Sequence, residues 1–438
     1  MGNSARRWIG WVLGAGLLVA CTAENPPPSP VSRDPPPFPG FIVGGNIQRT
    51  GVYPGQGSPY FGDELWRYQA AGNNTADAGV VVAQGLAFVN GGDQGLLAID
   101  CRTGRLQYTL DDGEGLPTVA DGVVYYAARD GLHAWNLATH KDHWVFPAAG
   151  IGESPLVDQG VVYATVGTNR YRMGGDNGAL VALDAQTGHE KWRFHAGNLG
   201  IPALGDGRIY VVGGTTIWRA DVADFQGTLY AVDAQTGREA WHVVAPSTSE
   251  MAGSFGDPIY DSGRMYTTTD FNAFIGPGHV YAFDARNGQE IWKQTTADQL
   301  THPSTPLVYH GTLYVGTQVP SELGRPGIAR LYALDTQTGG QKWMFEAGEG
   351  LSEPAIAQGT LYVAAVWRGN RSALYALDAN TGNQRAIKNF AEILSGRLTP
   401  VDGTIYLAGG RERAMLLAVS TQAAPAPPET TPQATPSP

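Results

Sequence analysis

The chain has 438 residues with 59 Gly, 29 Pro and only 16% charged side chains, a size that fits two ordinary domains or one large repeat-built one and a composition that favours turn-rich β structure. A formal net charge of −11 and a pI near 5.3 leave no basic face for phosphate backbones, which excludes nucleic acid as an expected partner. The nine His residues follow no Cys/His or His-Glu-x-x-His spacing, so zinc and haem signals are absent and no metal ligands are assigned.

Residues 1–21 read as a lipoprotein signal peptide: Arg6 and Arg7 supply the positive start, and Trp8 to Ala20 form an apolar run too short to span a bilayer. Leu18-Val19-Ala20-Cys21 then has the form of a bacterial lipobox, in which the Cys sulfur carries lipid; an ordinary cleaved signal or an inert helix is the plainer alternative. Lipidation of Cys21 places the mature protein outside the cytoplasm, anchored to the cell membrane or outer membrane and facing the periplasm or cell surface. Cys101 would be its only thiol, so no intramolecular disulfide is expected. Residues 22–61 form a Pro-rich spacer and lead-in, with Pro26, Pro27, Pro28, Pro30, Pro35, Pro36, Pro37 and Pro39 favouring extended chain. Residues 421–438 have the same character and are expected to be disordered.

Between these ends, over residues 62–420, the sequence repeats itself. Ala182-Leu183-Asp184-Ala185-Gln186-Thr187-Gly188-His189-Glu190-Lys191-Trp192 returns as Ala231 to Trp241, Ala282 to Trp292, Ala333 to Trp343 and, with Ala386 in place of Trp, Ala376 to Ala386. Degenerate copies start at Ala98 and Ala134. The motif Asp falls at 100, 184, 233, 284, 335 and 378, with Asn136 in its place in the second copy, a spacing that suits one four-stranded blade per copy. Within each copy a Gly-centred turn precedes a Val/Leu/Ile-Tyr strand, and the Thr-Gly pair makes the tight turn into a last strand that the Trp opens. The final copy stops at Ala418-Val419-Ser420 with no Thr-Gly turn, and the missing strand appears at the other end, where Gly62 to Ala70 matches Gly188 to Ala196. Seven full copies and this composite predict an all-β, eight-bladed propeller of four-stranded antiparallel blades, closed by an N-terminal strand that completes the last blade.

The pattern Ala-x-Asp-x-x-Thr-Gly-x-x-x-Trp resembles the tryptophan-docking motif of the pyrroloquinoline quinone (PQQ) repeat family. That resemblance implies a structural girdle in which Trp66, Trp144, Trp192, Trp241, Trp292 and Trp343 pack between neighbouring blades. Longer insertions at 167–178, 213–227, 269–278 and 316–329 join second to third strands on the face opposite the Thr-Gly turns, and they read as variable loops on a rigid ring, where binding usually resides. The candidate binding face comprises Arg170, Arg172, Trp218, Arg219, Asp221, Phe271, Phe274 and His302. Carboxylates before the blade-opening prolines, Glu153, Asp257 and Glu353, gather near the axis, where they suit a cation, basic groups or channel water.

The resemblance extends to exported propeller lipoproteins that assist outer-membrane barrel assembly, and it implies a monomeric, non-catalytic scaffold recognising a protein or small ligand, with no cofactor. The alternative is a dehydrogenase holding PQQ and Ca²⁺ at the ring's centre and oxidising alcohols or sugars. The alcohol-oxidising members of the family carry vicinal cysteines over the quinone, and this chain has none, so no catalytic residue is assigned.

Overall fold

A computed structural model describes residues 45–422 except 54, 56, 71–78, 111, 153, 168–176, 220–221, 248–252, 271–277, 296–302, 320–326, 395 and 410–414. Cys21, the signal segment, the Pro-rich run and the tail beyond residue 422 lie outside the described residues. Of the chain's two compact units, Met1–Phe38 is wholly outside them, and Pro39–Pro438 contains everything that follows.

The described strands form eight antiparallel sheets, each ordered from the axis outwards as first, second, third and fourth strand. In chain order the blades span residues 81–110, 113–147, 156–195, 203–244, 254–294, 307–346 and 350–390, and the eighth combines residues 398–420 with Glu64–Gln69. That N-terminal strand pairs with Met415–Ser420, from Gln69 opposite Met415 to Glu64 opposite Val419, so the two ends of the ring share one sheet as the repeat pattern predicts. In blades 5 and 7 the innermost strand is broken into two pieces that pair with the same second strand.

The strand chemistry accounts for the layering. Second and third strands, such as Val161–Val166 and Ala179–Asp184, are buried almost throughout because a neighbouring blade covers each face, and their sequences are runs of Val, Leu, Ala and Tyr. Fourth strands such as Glu190–His195 alternate between exposed and half-buried side chains, as a single covered face requires. Each third strand meets its fourth through a register shift at the motif Ala, for example between Ala182 and Leu183 and between Ala231 and Val232. One extra residue there re-aims the outer strand as the Trp enters it.

Two of the long insertions depart from expectation. Residues 213–227 are not an irregular loop: the second and third strands of blade 4, Arg208–Arg219 and Val222–Asp233, stay paired to Arg219 opposite Val222. In blade 6, Thr312–Val319 and Ile328–Asp335 pair as far as Val319 opposite Ile328. The β-branched content of Thr215-Thr216-Ile217 suits a strand, and the absence of an early Gly-Asn or Pro-Gly turn lets the ladder continue past the ring.

Candidate functional site

The motif Asp organises each turn on one face of the ring. Asp233 Oδ1 accepts the N–H groups of Gln235 (3.2 Å) and Thr236 (2.8 Å) and the Thr236 hydroxyl (2.7 Å). These donors lower its carboxyl below the ordinary range, the Thr236 hydroxyl most of all. Asn136 makes the same two backbone contacts, to Ala138 and Thr139, which is why it substitutes at that position. The following Gly has two requirements: Gly237 sits at φ +69, and a Cβ there would come within 2.6 Å of the Trp192 ring.

Each docking Trp also makes a directed bond. Trp144, Trp192, Trp241 and Trp292 donate Nε1–H to the carbonyls of Ala185, Ala234, Ala285 and Thr336, the residue after the motif Asp in the next blade, at 3.0 to 3.1 Å. Trp66 and Trp343 do the same to Cys101 and Ala379, at 2.6 and 3.2 Å. A Tyr from the same blade's second strand lies against the indole, and Tyr163, Tyr210 and Tyr314 send their hydroxyls to the same carbonyls as their Trp partners. Cys101 is half-buried in the core around Trp66, where burial pushes its thiol up, the opposite of what a nucleophile needs.

Of the candidate binding face, Trp218 and Arg219 end the second strand of the blade 4 hairpin. Arg170, Arg172, Asp221, Phe271, Phe274 and His302 lie outside the described residues. The structure therefore places two of these eight, together at one hairpin end beyond the ring.

The feature the sequence did not disclose lies on the axis. Residues 45–53, part of the stretch read as spacer, form a strap along the inner edges of four blades. The carbonyls of Ile47, Gln48, Thr50 and Gly51 accept the N–H groups of Leu204, Tyr260, Val308 and Ile356 at 2.9 to 3.1 Å, and Tyr53 N–H returns to Ile356 O. Arg49, 5% exposed, donates Nε to Pro202 O and Nη2 to Ser154 O, both at 2.6 Å. The available signal was a change of composition: after Pro39 no Pro occurs until Pro54, and Ile47, Val52 and Tyr53 are apolar.

Above the strap a cavity of about 40 Å³ is lined by Arg49, Asp257, Thr305, Glu353 and Arg397 among others. Glu353 pairs with Arg397 at 2.6 Å and accepts the Thr305 hydroxyl. Asp257 accepts Ile201 N–H at 3.1 Å, and desolvation pushes its carboxyl up despite the fields of Arg397 and Arg49. Glu153 lies outside the described residues. On the Thr-Gly face a recess of about 930 Å³ opens between blades 3 and 4, with Ile47 and Gln48 of the strap in its lining.

The quinone and calcium that the repeat's name implies would belong on the axis. Small-molecule sites run to about 300 Å³ or more, and the cavity above the strap is far below that. Its Glu353 is already neutralised by Arg397, and no group of three or more ligating side chains among the described residues is placed to hold a metal ion. These axial residues do not fit PQQ with Ca²⁺.

A family model described as "Outer membrane protein assembly factor BamB" matches residues 165–270 and 276–422. Outer membrane protein assembly factor BamB of Shewanella oneidensis is 28% identical over 247 residues, covering 55% of this chain and 58% of its own length. The chain thus spans less than two thirds of the curated relatives it matches. Among solved structures, the quinohemoprotein alcohol dehydrogenase ADHIIG from Pseudomonas putida superposes with a TM-score of 0.65 at 16% identity, over 89% of this chain and 82% of that one. BamB from Moraxella catarrhalis gives 0.57 at 14%, over 82% and 99%. At such identities these likenesses speak to the fold alone. No helix among the described residues is long and apolar enough to cross a membrane.

Proposed function

This chain belongs to the family described as outer membrane protein assembly factor BamB, and from that premise we propose that it is an exported, lipid-anchored, non-catalytic scaffold that binds a protein partner in membrane-protein assembly. Lipid on Cys21 tethers it, and the face carrying the long hairpins recognises the partner. The observation that carries this reading is the difference between the two faces. The Thr-Gly face repeats a capped turn in seven of the eight blades, whereas the opposite face projects the paired strands of blade 4, ending in Trp218 and Arg219, beyond it. Irregular projections on a rigid frame are suited to recognition, and a face of repeated capped turns is not.

The test is affinity capture from detergent-solubilised membranes. Charge reversal at Arg170, Arg172 and Arg219 should lose a partner that the wild-type chain recovers, and reversal at Arg286 on the Thr-Gly face should keep it. Recovery indifferent to the first set contradicts the choice of face. The anchor has a separate readout: Cys21→Ser should release the protein from membranes or leave it unprocessed, and unchanged retention counts against lipidation.

A further inference from the structure

We infer that the propeller axis is a recognition site for a turn-containing polypeptide segment carrying arginine, and that residues 45–53 are a tethered occupant with which a segment of a partner protein competes. This goes beyond the hairpin-face reading, and its failure would leave that reading intact.

The strap is bound as a peptide ligand is bound. Four successive blades, 4 to 7, each present the central N–H of the innermost strand, from Leu204, Tyr260, Val308 and Ile356, to one carbonyl of the strap. Such main-chain bonds read the backbone whatever its side chains, here one bent at a turn that Arg49 N–H closes onto Asn46 O at 3.0 Å. Side-chain selectivity comes from Arg49, whose guanidinium reaches the carbonyls of Pro202 and Ser154, with Asp257 contributing its field. Two residues on, Gly51 sits at φ +74 where a Cβ would come within 2.7 Å of the Leu307 side chain. The site thus selects Arg-x-Gly directly after a tight turn.

A second observation marks the strap as held rather than merely folded. Arg49 has φ 57, in the left-handed region that a long side chain disfavours. Its backbone is kept there by the bonds its own side chain makes and by the Asn46 side chain, which accepts Thr50 N–H and donates to the Thr50 hydroxyl. A segment held in a disfavoured backbone conformation by these contacts can be displaced by another that offers the same ones.

The experiment uses the full chain and a labelled synthetic peptide with the sequence of residues 45–53. Arg49→Ala should bind this peptide at least about ten-fold more tightly than the wild-type chain, whose own strap competes at high effective concentration. A peptide with alanine in place of its arginine should lose at least about ten-fold. Equal binding to both chains, or none to a folded Arg49→Ala ring, overturns the proposal. Hydrogen exchange supplies the second arm with Arg49→Lys. The amides of Leu204, Tyr260, Val308 and Ile356 should exchange at least about ten-fold faster than in the wild type and slow again when peptide is added. Unchanged exchange in Arg49→Lys, or a ring that folds with neither variant, makes the strap a structural strut and equally overturns it.

Discussion

Six of the eight blade interfaces are docked by Trp66, Trp144, Trp192, Trp241, Trp292 and Trp343, and two are not, at Tyr108 between blades 1 and 2 and at Ala386 between blades 7 and 8. In the regular interfaces the indole, the Gly beneath it and the accepting carbonyl form one unit. In the first exception both halves of the contact change together: Tyr108 is smaller than Trp, and the Gly position opposite holds His140 at φ 55, 4.5 Å from the Tyr108 ring and stacked on Trp135. At the seam the lead-in supplies what Ala386 lacks. Phe61 lies 6.2 Å from Tyr362, and Ser58 exchanges two hydrogen bonds with the Tyr362 hydroxyl, both at 2.8 Å. An interface thus tolerates loss of its Trp only where another group fills the same volume, as close packing demands.

The largest effect should come from emptying a regular interface. Trp241→Ala removes a ring that is 9% exposed and leaves the Ala285 carbonyl short of one donor, so a loss of about 3–5 kcal/mol in a denaturant titration is expected. Phe61→Ala at the seam should lose about 1–3 kcal/mol, since Phe61 is only half-buried. An equal loss at both sites would erase the distinction between girdle and patch.

Glycine exchanges sharpen the same point. Gly207, at φ +70 with nothing within 4 Å of an added methyl, should lose about 1 kcal/mol on Gly207→Ala. Gly237→Ala should lose about 1–3 kcal/mol beyond that, because its methyl meets the Trp192 ring. Comparable losses would assign the motif Gly to backbone conformation alone.

The smallest effects are in pH dependence, and the two regions have opposite signs. The motif carboxyls titrate below their ordinary value of 3.8, Asp284 at about 2 because Arg286 binds it, so their contribution is complete above pH 3.8 and is lost as pH falls from there towards 2. The Asp257 carboxyl is raised, so its ionisation disfavours the folded state once pH rises above 3.8. Asp257→Asn, which keeps an acceptor for Ile201 N–H, should raise the unfolding midpoint at pH 7 and leave it unchanged near pH 3. A lower midpoint at pH 7 would mean that its attraction to Arg49 and Arg397 outweighs its desolvation.

The ring was legible because its determinants are local and repeated. A Thr-Gly turn and a Trp at fixed spacing mark each blade, and Glu64-Leu65-Trp66-Arg67 matches the fourth-strand pattern closely enough to reveal the closure. The blade 4 hairpin was legible only as length, since whether Thr215 to Arg219 continues a ladder depends on the strand opposite it. The strap showed in the sequence only as a break in proline content between Pro39 and Pro54. Ile47, Gln48, Thr50 and Gly51 act through carbonyls, which every residue has, and their partners stand more than 150 positions away. Nothing local to Arg49 in the sequence shows the carbonyls of Ser154 and Pro202 that close over it.

The claim at the centre of this account is that a ring with a quinoprotein fold serves as a scaffold, its axis filled by its own chain. An absorbance titration of the full-length protein with PQQ and Ca²⁺, followed by a dye-reduction assay with primary alcohols and sugars, tests it most directly. The account predicts no bound chromophore and no reduction; stoichiometric PQQ binding with substrate-dependent dye reduction would contradict it.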